Sequence, residues 1–193
     1  KVAVVGVGGL GHMGVKIAHA LGAEVTVLSR TLRKQADGKR LGADHFLATE
    51  DPETFNRLAG TQDLLINTVA GEVDFGPYLN TLKLDGSMVL VGLPEKPVSI
   101  APYSLISFRR SLAGSMIGGI RQTQEMLDFC AAHGIGALLL RRAVEVPYCV
   151  ARIEQRRVIR CQHRRAFAAV GLALLNGKFD GRTPHRFDRF HLR

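Results

Sequence analysis

Residues 4–14 read VVGVGGLGHMG, and inside them Gly6, Gly8 and Gly11 form a G-x-G-x-x-G directly after a short β-branched run, KVAVV (1–5). That run has the composition of a strand buried on both faces. Beyond the glycines the pattern changes. Leu10, Met13, Ile17, Ala20 and Leu21 recur at three- and four-residue spacing until Gly22 stops them, which predicts an amphipathic helix. A glycine triplet between a strand and a helix is the arrangement that accepts a dinucleotide. Gly6 permits the tight turn, Gly8 lets backbone N–H groups approach a diphosphate, and Gly11 brings the helix close to the strand. The helix that starts near Leu10 turns its positive dipole end toward the phosphates. A tight turn holding no ligand is the plainer reading, but it leaves the spacing of the glycines unexplained.

Working outward, the same alternation repeats. EVTVL (24–28) reads as a second strand, Arg33 to Leu41 as a polar helix and DHFLA (44–48) as a third strand. Asp51-Pro52 supplies a cap and a first-turn residue for a short helix. DLLINTV (63–69) and SMVLVGL (87–93) are the fourth and fifth strands, with a helix over about Phe75 to Leu82 between them. SLAGSM (111–116) is a sixth strand, and RQTQEMLDFCAAHG (121–134) is a helix with Met126, Leu127 and Cys130 on one face and Gly134 as its stop. Strands alternating with helices in this way imply a doubly wound α/β parallel sheet covered on both faces, a Rossmann arrangement.

The end of the second strand bears on which dinucleotide is taken. Sites for NAD usually carry an acidic residue there for the ribose 2′-hydroxyl. Here LSRTLRKQ (28–35) brings Ser29, Arg30, Thr31, Arg33 and Lys34 together, with no carboxylate before Asp37. A 2′-phosphate gains charge-assisted bonds from Arg30 or Lys34 and hydroxyl donation from Ser29 and Thr31. The expectation is NADP over NAD.

Charge divides the chain. Residues 1–136 carry 13 Lys+Arg and 13 Asp+Glu, so the net charge of +9 comes entirely from residues 137–193, with 13 against 4. The expected organisation is therefore a domain over 1–136 and an atypical Arg-rich C-terminal tail over 137–193. AFAAVGLALL (166–175) is too short to span a membrane. Cys130, Cys149 and Cys161 form no metal-binding spacing and suit reduced thiols in the cytoplasm. Lys1 opens the chain in place of Met, which points to a fragment or a processed form.

Five stretches taken together, GVGGLGHMGVKIAHALGAEVTVLS, DLLINTV, LVGLP, LAGSMIGG and TQEMLDFCAAHGI, resemble the zinc-dependent medium-chain alcohol dehydrogenases, in their NADP-dependent, cinnamyl-alcohol-dehydrogenase-like branch. The likeness covers residues 1 to about 136. It implies hydride transfer between NADP(H) and a primary alcohol or aldehyde. It also implies that Gly6, Val7, Gly8, Gly9, Leu10 and Gly11 cradle the diphosphate. Ser29, Thr31 and Lys34 take the 2′-phosphate side, while Arg30 stands where the family often has a small polar residue. Thr68 and Gly92 lie along the nicotinamide ribose, and Ser115, Met116 and Ile117 line the nicotinamide amide. The resemblance further implies a homodimer that pairs edge strands over Ser111–Met116.

The chain departs from that family in two ways. The family holds its catalytic zinc by Cys, His and Glu ligands in a preceding domain, and this sequence has no counterpart. His12, His19, His45 and His133 lack ligand spacing, and His12 reads as a helix-surface or packing residue. The expectation is a truncated form that binds cofactor without turnover. After Gly136 the family pattern stops, as out-of-frame translation or an unrelated fusion would make it do. A second class of function, nucleic-acid binding, would use Arg156, Arg157, Arg160, Arg164 and Arg165. Phe167 is the only aromatic close by, and no RNA or DNA module matches, so weak non-specific adhesion is expected rather than a specific site.

Overall fold

A computed structural model describes residues 1–137. Cys149, Cys161, the segment 166–175 and the Arg156–Arg165 cluster lie outside the described residues. The element order is β1 (Val2–Val5), α1 (Gly11–Ala20), β2 (Val25–Ser29), a 3-10 turn (Leu32–Lys34), α2 (Gln35–Arg40), β3 (His45–Ala48), α3 (Glu53–Leu58), β4 (Gln62–Asn67), α4 (Phe75–Asn80), β5 (Leu82–Leu90), α5 (Tyr103–Ile106), β6 (Ser111–Gly114) and α6 (Ile120–Ala132). All six strands are parallel, in the order β3-β2-β1-β4-β5-β6. The chain reverses its direction of winding between β1 and β4. A crevice opens at such a switch point, outside the carboxyl ends of the strands.

Alternation along the strands builds two cores. Val2, Val4, Val25, Val27, Leu64 and Ile66 face one layer, where Met13 and Ile17 of α1 meet Met126 and Cys130 of α6. Ala3, Val5, Leu28, Leu65 and Met88 face the other, packed by Leu58, Phe75, Tyr78 and Leu79. The sheet is therefore apolar on both faces, as a parallel sheet between helices must be. Burial raises the pKa of the Cys130 thiol above its usual value, so the group stays protonated. Packing persists to the end of the described chain. Lys16 Nζ donates to the Gly136 carbonyl at 2.7 Å, and Ala137 packs against the α1 core. Among the described residues no helix is long and apolar enough to cross a membrane.

Several boundaries differ from those read in the sequence, each for a local reason. The second helix divides because Lys34, at φ −103° and ψ 15°, leaves helical geometry. The fourth strand stops at Asn67, whose side chain turns back on Val69: Oδ1 accepts from the Val69 N–H at 3.1 Å. The fifth ends at Leu90 because the Val91 and Gly92 N–H groups both bond to the Asn67 carbonyl, at 2.9 and 3.0 Å. It also begins early, at Leu82, and pairs there with Gln62 before the register shifts and Leu64 meets Ser87. Asp85, at φ 61°, lies in that excursion, where its carboxylate takes both Arg109 donors at 2.9 and 2.6 Å. The sixth strand ends at Gly114, although the Ser115 N–H still reaches the Leu90 carbonyl at 2.9 Å.

Helix α5 has no counterpart in the sequence reading, and a buried arginine secures it. Arg110, 8% exposed, donates to the carbonyls of Leu82 (3.0 Å), Ser104 (3.2 Å) and Asn80 (3.4 Å) and to Asn80 Oδ1 (3.2 Å). Its guanidinium also lies 4.4 Å from the centroid of the Phe108 ring. The planar five-donor fork reaches acceptors on α4, β5 and α5 at once, which a point charge cannot do. Arg110→Met should therefore lower unfolding free energy by about 2–3 kcal/mol, since carbonyls lose their donors in a place water reaches poorly. Arg110→Lys should recover little of it. Urea unfolding followed by circular dichroism measures both, and an unchanged midpoint for the Met variant would contradict this role.

Candidate functional site

The site is built where β1 hands over to α1. Gly6 sits at φ 88°, in the left-handed region that glycine tolerates, and its N–H bonds to the Leu28 carbonyl at 2.8 Å. A Cβ on Gly11 would lie 1.9 Å from the Gly6 carbonyl oxygen and 3.0 Å from Thr68 Oγ1. Helix and strand thus touch backbone to backbone. Gly8 and Gly9 are the opposite case. They are exposed, and a Cβ on either would meet nothing within 4 Å. Among the described residues the N–H groups of Gly8, Gly9, Leu10 and Gly11 donate to no backbone carbonyl, while His12, Met13 and Gly14 open the helical ladder. Leu10 caps α1 without any side-chain bond. Four adjacent donors at a helix N-terminus form an anion cradle.

A cleft of about 680 Å³ opens beside this turn. Gly6, Gly8, Ser29, Arg30 and Lys34 line it together with Phe55, Val73 and Tyr78. Lys34 bends back so that Nζ donates to the Val7 carbonyl at 3.0 Å. That bond ties the basic end of β2 to the glycine loop. Tyr78 is buried and meets Phe55 edge to face at 4.9 Å. Burial raises the pKa of its hydroxyl, an effect partly offset by a hydrogen bond with Thr49. The cleft therefore joins a cationic rim to an apolar, neutral floor, although Glu72 and Asp74 also line it. Glu72 is ion-paired with Lys96 from the loop after β5.

The remaining predicted positions spread along the carboxyl ends of the strands. Thr31 leads into the 3-10 turn that carries Lys34. Thr68 follows β4 and gives its hydroxyl proton to the Val5 carbonyl at 2.7 Å; the side chain buttresses the β1–α1 turn. Gly92 follows β5, and a Cβ there would lie 2.5 Å from the Val69 carbonyl oxygen. Ser115, Met116 and Ile117 follow β6, with Met116 80% exposed. In the sheet order β6 lies three strand spacings from β1, about 14 Å. The turn at Gly6–Gly11 is thus close to Ser29, Lys34 and Thr68, and distant from Ser115–Ile117. Only an extended ligand can touch both groups.

Sequence reading missed three contributors. Asn67, 1% exposed, shapes the exit of β4 through its side chain, and its position at a strand end was the available signal. Phe55 and Tyr78 reach the cleft from α3 and α4, which no local pattern reveals. His12 is buried, as a packing residue would be, but its ring Nδ1 lies 3.0 Å from the Gly8 carbonyl. Among the described residues no three His, Cys, Asp or Glu side chains gather as a metal-ligating group.

Residues 9–132 match the family model described as "Zinc-binding dehydrogenase". The chain belongs to that family. NADP-dependent alcohol dehydrogenase C 1 of Mycolicibacterium smegmatis is 59% identical to it over 135 residues, covering 70% of this chain and 39% of the relative. A cinnamyl alcohol dehydrogenase structure from Sorghum bicolor superposes with a TM-score of 0.66 at 43% identity, covering 69% of this chain and 38% of that one. CAD from Helicobacter pylori, solved in complex with NADP(H), gives 0.63 at 39% identity, with coverages of 70% and 38%. The chain thus spans less than half the length of these dehydrogenases, and the span it shares is their cofactor-binding part, folded as a Rossmann sheet.

The geometry separates two glycines of the motif. Gly11→Ala should destabilise the domain by about 1–3 kcal/mol, because its methyl group overlaps the Gly6 carbonyl. Gly8→Ala should change stability by no more than about 0.5 kcal/mol, since the added methyl meets open space. Thermal and urea unfolding of the two variants checks this, and equal effects would contradict it.

Proposed function

We propose that residues 1–136 form the NADP(H)-binding domain of an alcohol dehydrogenase or aldehyde reductase, with residues 137–193 as a separate tail. The observation that carries this reading is the row of N–H donors from Gly8 to Gly11, which donate to no backbone carbonyl among the described residues and begin at Gly8, in the cleft that Arg30 and Lys34 also line. The first suits a diphosphate and the second a ribose 2′-phosphate. Ser29 ends β2 where a carboxylate would favour NAD, and no acidic residue follows before Asp37. The names of the relatives agree, since one is NADP-dependent and another was solved with NADP(H).

In this reading Val7–Gly11 hold the diphosphate, and Ser29, Arg30, Thr31 and Lys34 bind the 2′-phosphate. Phe55 and Tyr78 give the adenosine end an apolar wall. Thr68 serves doubly: its proton holds the turn, and its oxygen can accept from the nicotinamide ribose. Gly92 allows close approach beside Thr68, and the backbone of Ser115, Met116 and Ile117 orients the nicotinamide amide. Bound NADPH supplies the hydride for an aldehyde carbonyl. The family's zinc, held by ligands of a preceding domain, would polarise that oxygen. The substrate is a small alcohol or aldehyde.

Two further assignments complete the proposal. Strand β6 pairs only with β5 among the described residues, so its outer edge offers a ladder to the same strand of a second copy; the dimer uses Ser111–Met116. The buried free thiol of Cys130 suits the reducing cytoplasm.

Reversing one charge tests the cofactor assignment. Lys34→Glu should weaken NADPH binding by about ten- to a hundredfold, the loss of one charge-assisted contact plus new repulsion. NADH affinity should hold or rise. Titration calorimetry with both nucleotides decides, and an unchanged ratio between them would refute the 2′-phosphate role.

A further inference from the structure

His12 does more than fill space. The residue is 4% exposed, and Nδ1 lies 3.0 Å from the Gly8 carbonyl oxygen. The same oxygen accepts the His12 backbone N–H at 3.1 Å. A carbonyl can only accept, so Nδ1 carries the proton in this contact. Gly8 and Gly9 are easily rotated links of the loop, with no side chain and nothing near either Cβ direction. A trans peptide is planar, so the direction of the Gly8 C=O also sets that of the Gly9 N–H, which points the opposite way. Two donors from residue 12 draw the carbonyl toward the helix. The Gly9 N–H is thereby held outward, among donors that have no backbone acceptor. Turned over, the same peptide would present its oxygen to an anion.

We propose that His12 is a positioning residue: by holding the Gly8 carbonyl, its ring fixes the Gly8–Gly9 peptide in the orientation that receives the diphosphate. This rests on the NADP(H) reading above. It also separates two readings of one buried histidine. A packing residue needs only volume, whereas a positioning residue needs an N–H at one place. Asparagine carries an amide nitrogen at the same distance from Cβ as Nδ1, while leucine offers bulk without a donor.

The test uses the full chain and two ligands, NADPH and adenosine 2′-monophosphate, which has the 2′-phosphate but no diphosphate. Titration calorimetry of His12→Leu should show NADPH affinity reduced about tenfold, the loss of one oriented donor, with adenosine 2′-monophosphate bound as before. His12→Asn should recover most of the NADPH affinity. Should the Leu variant fail to fold, His12→Gln, whose amide sits one methylene further out, should fold and show the same selective loss. Unaltered NADPH affinity, or equal weakening of both ligands without rescue by Asn, would overturn the proposal. Failure of the unmutated chain to bind either ligand would overturn the cofactor reading itself.

Discussion

The end of β1 and the start of α1 approach so closely that only a hydrogen atom fits between the Gly11 Cα and the Gly6 carbonyl. The rest of the site follows from that contact. Bringing the helix this near to the strand leaves no room for side chains at either residue. It forces Gly6 into the left-handed region and leaves Gly8 and Gly9 outside the fold, where their amides face solvent. Thr68 locks the arrangement from the neighbouring strand, with its hydroxyl on the Val5 carbonyl and its oxygen against the positions where Cβ atoms would be. Backbone donors at a helix tip are fixed dipoles, so an anion that meets them requires little reorganisation.

Topology then distributes the chemistry. Because β1 and β4 are neighbours in the sheet, their loops diverge to opposite faces and leave the crevice between them. Charge collects on the β2 side through Arg30 and Lys34, with apolar surface from Phe55 and Tyr78 close by. The positions proposed for the nicotinamide end, Gly92 and Ser115–Ile117, follow β5 and β6.

Much of this was legible in the sequence because it is local. The β-branched runs, the glycine spacing and the Asp/Glu-free stretch after Leu28 are each a pattern within a dozen residues. All six strands and the long helices follow from them. Illegible were features made by distant residues meeting. Arg110 is one of two adjacent arginines, and nothing nearby in sequence tells that it will be buried against Leu82, Asn80 and Ser104 while Arg109 pairs at the surface with Asp85. The early start of β5 depends on Gln62 across the sheet. His12 shows the same limit at shorter range. The sequence reads it as a helix-surface or a packing residue, and its bond to Gly8 needs the helix and the loop to be in place first.

Nuclear magnetic resonance of the isotopically labelled chain titrated with NADPH examines the amide cradle most directly. Amide protons that donate to phosphate oxygens move downfield, so at saturation the largest shifts should fall on Gly8, Gly9, Leu10 and Gly11, with smaller ones around Lys34 and Tyr78. Saturation with those four amides unmoved, and the largest changes elsewhere in the domain, would contradict the account.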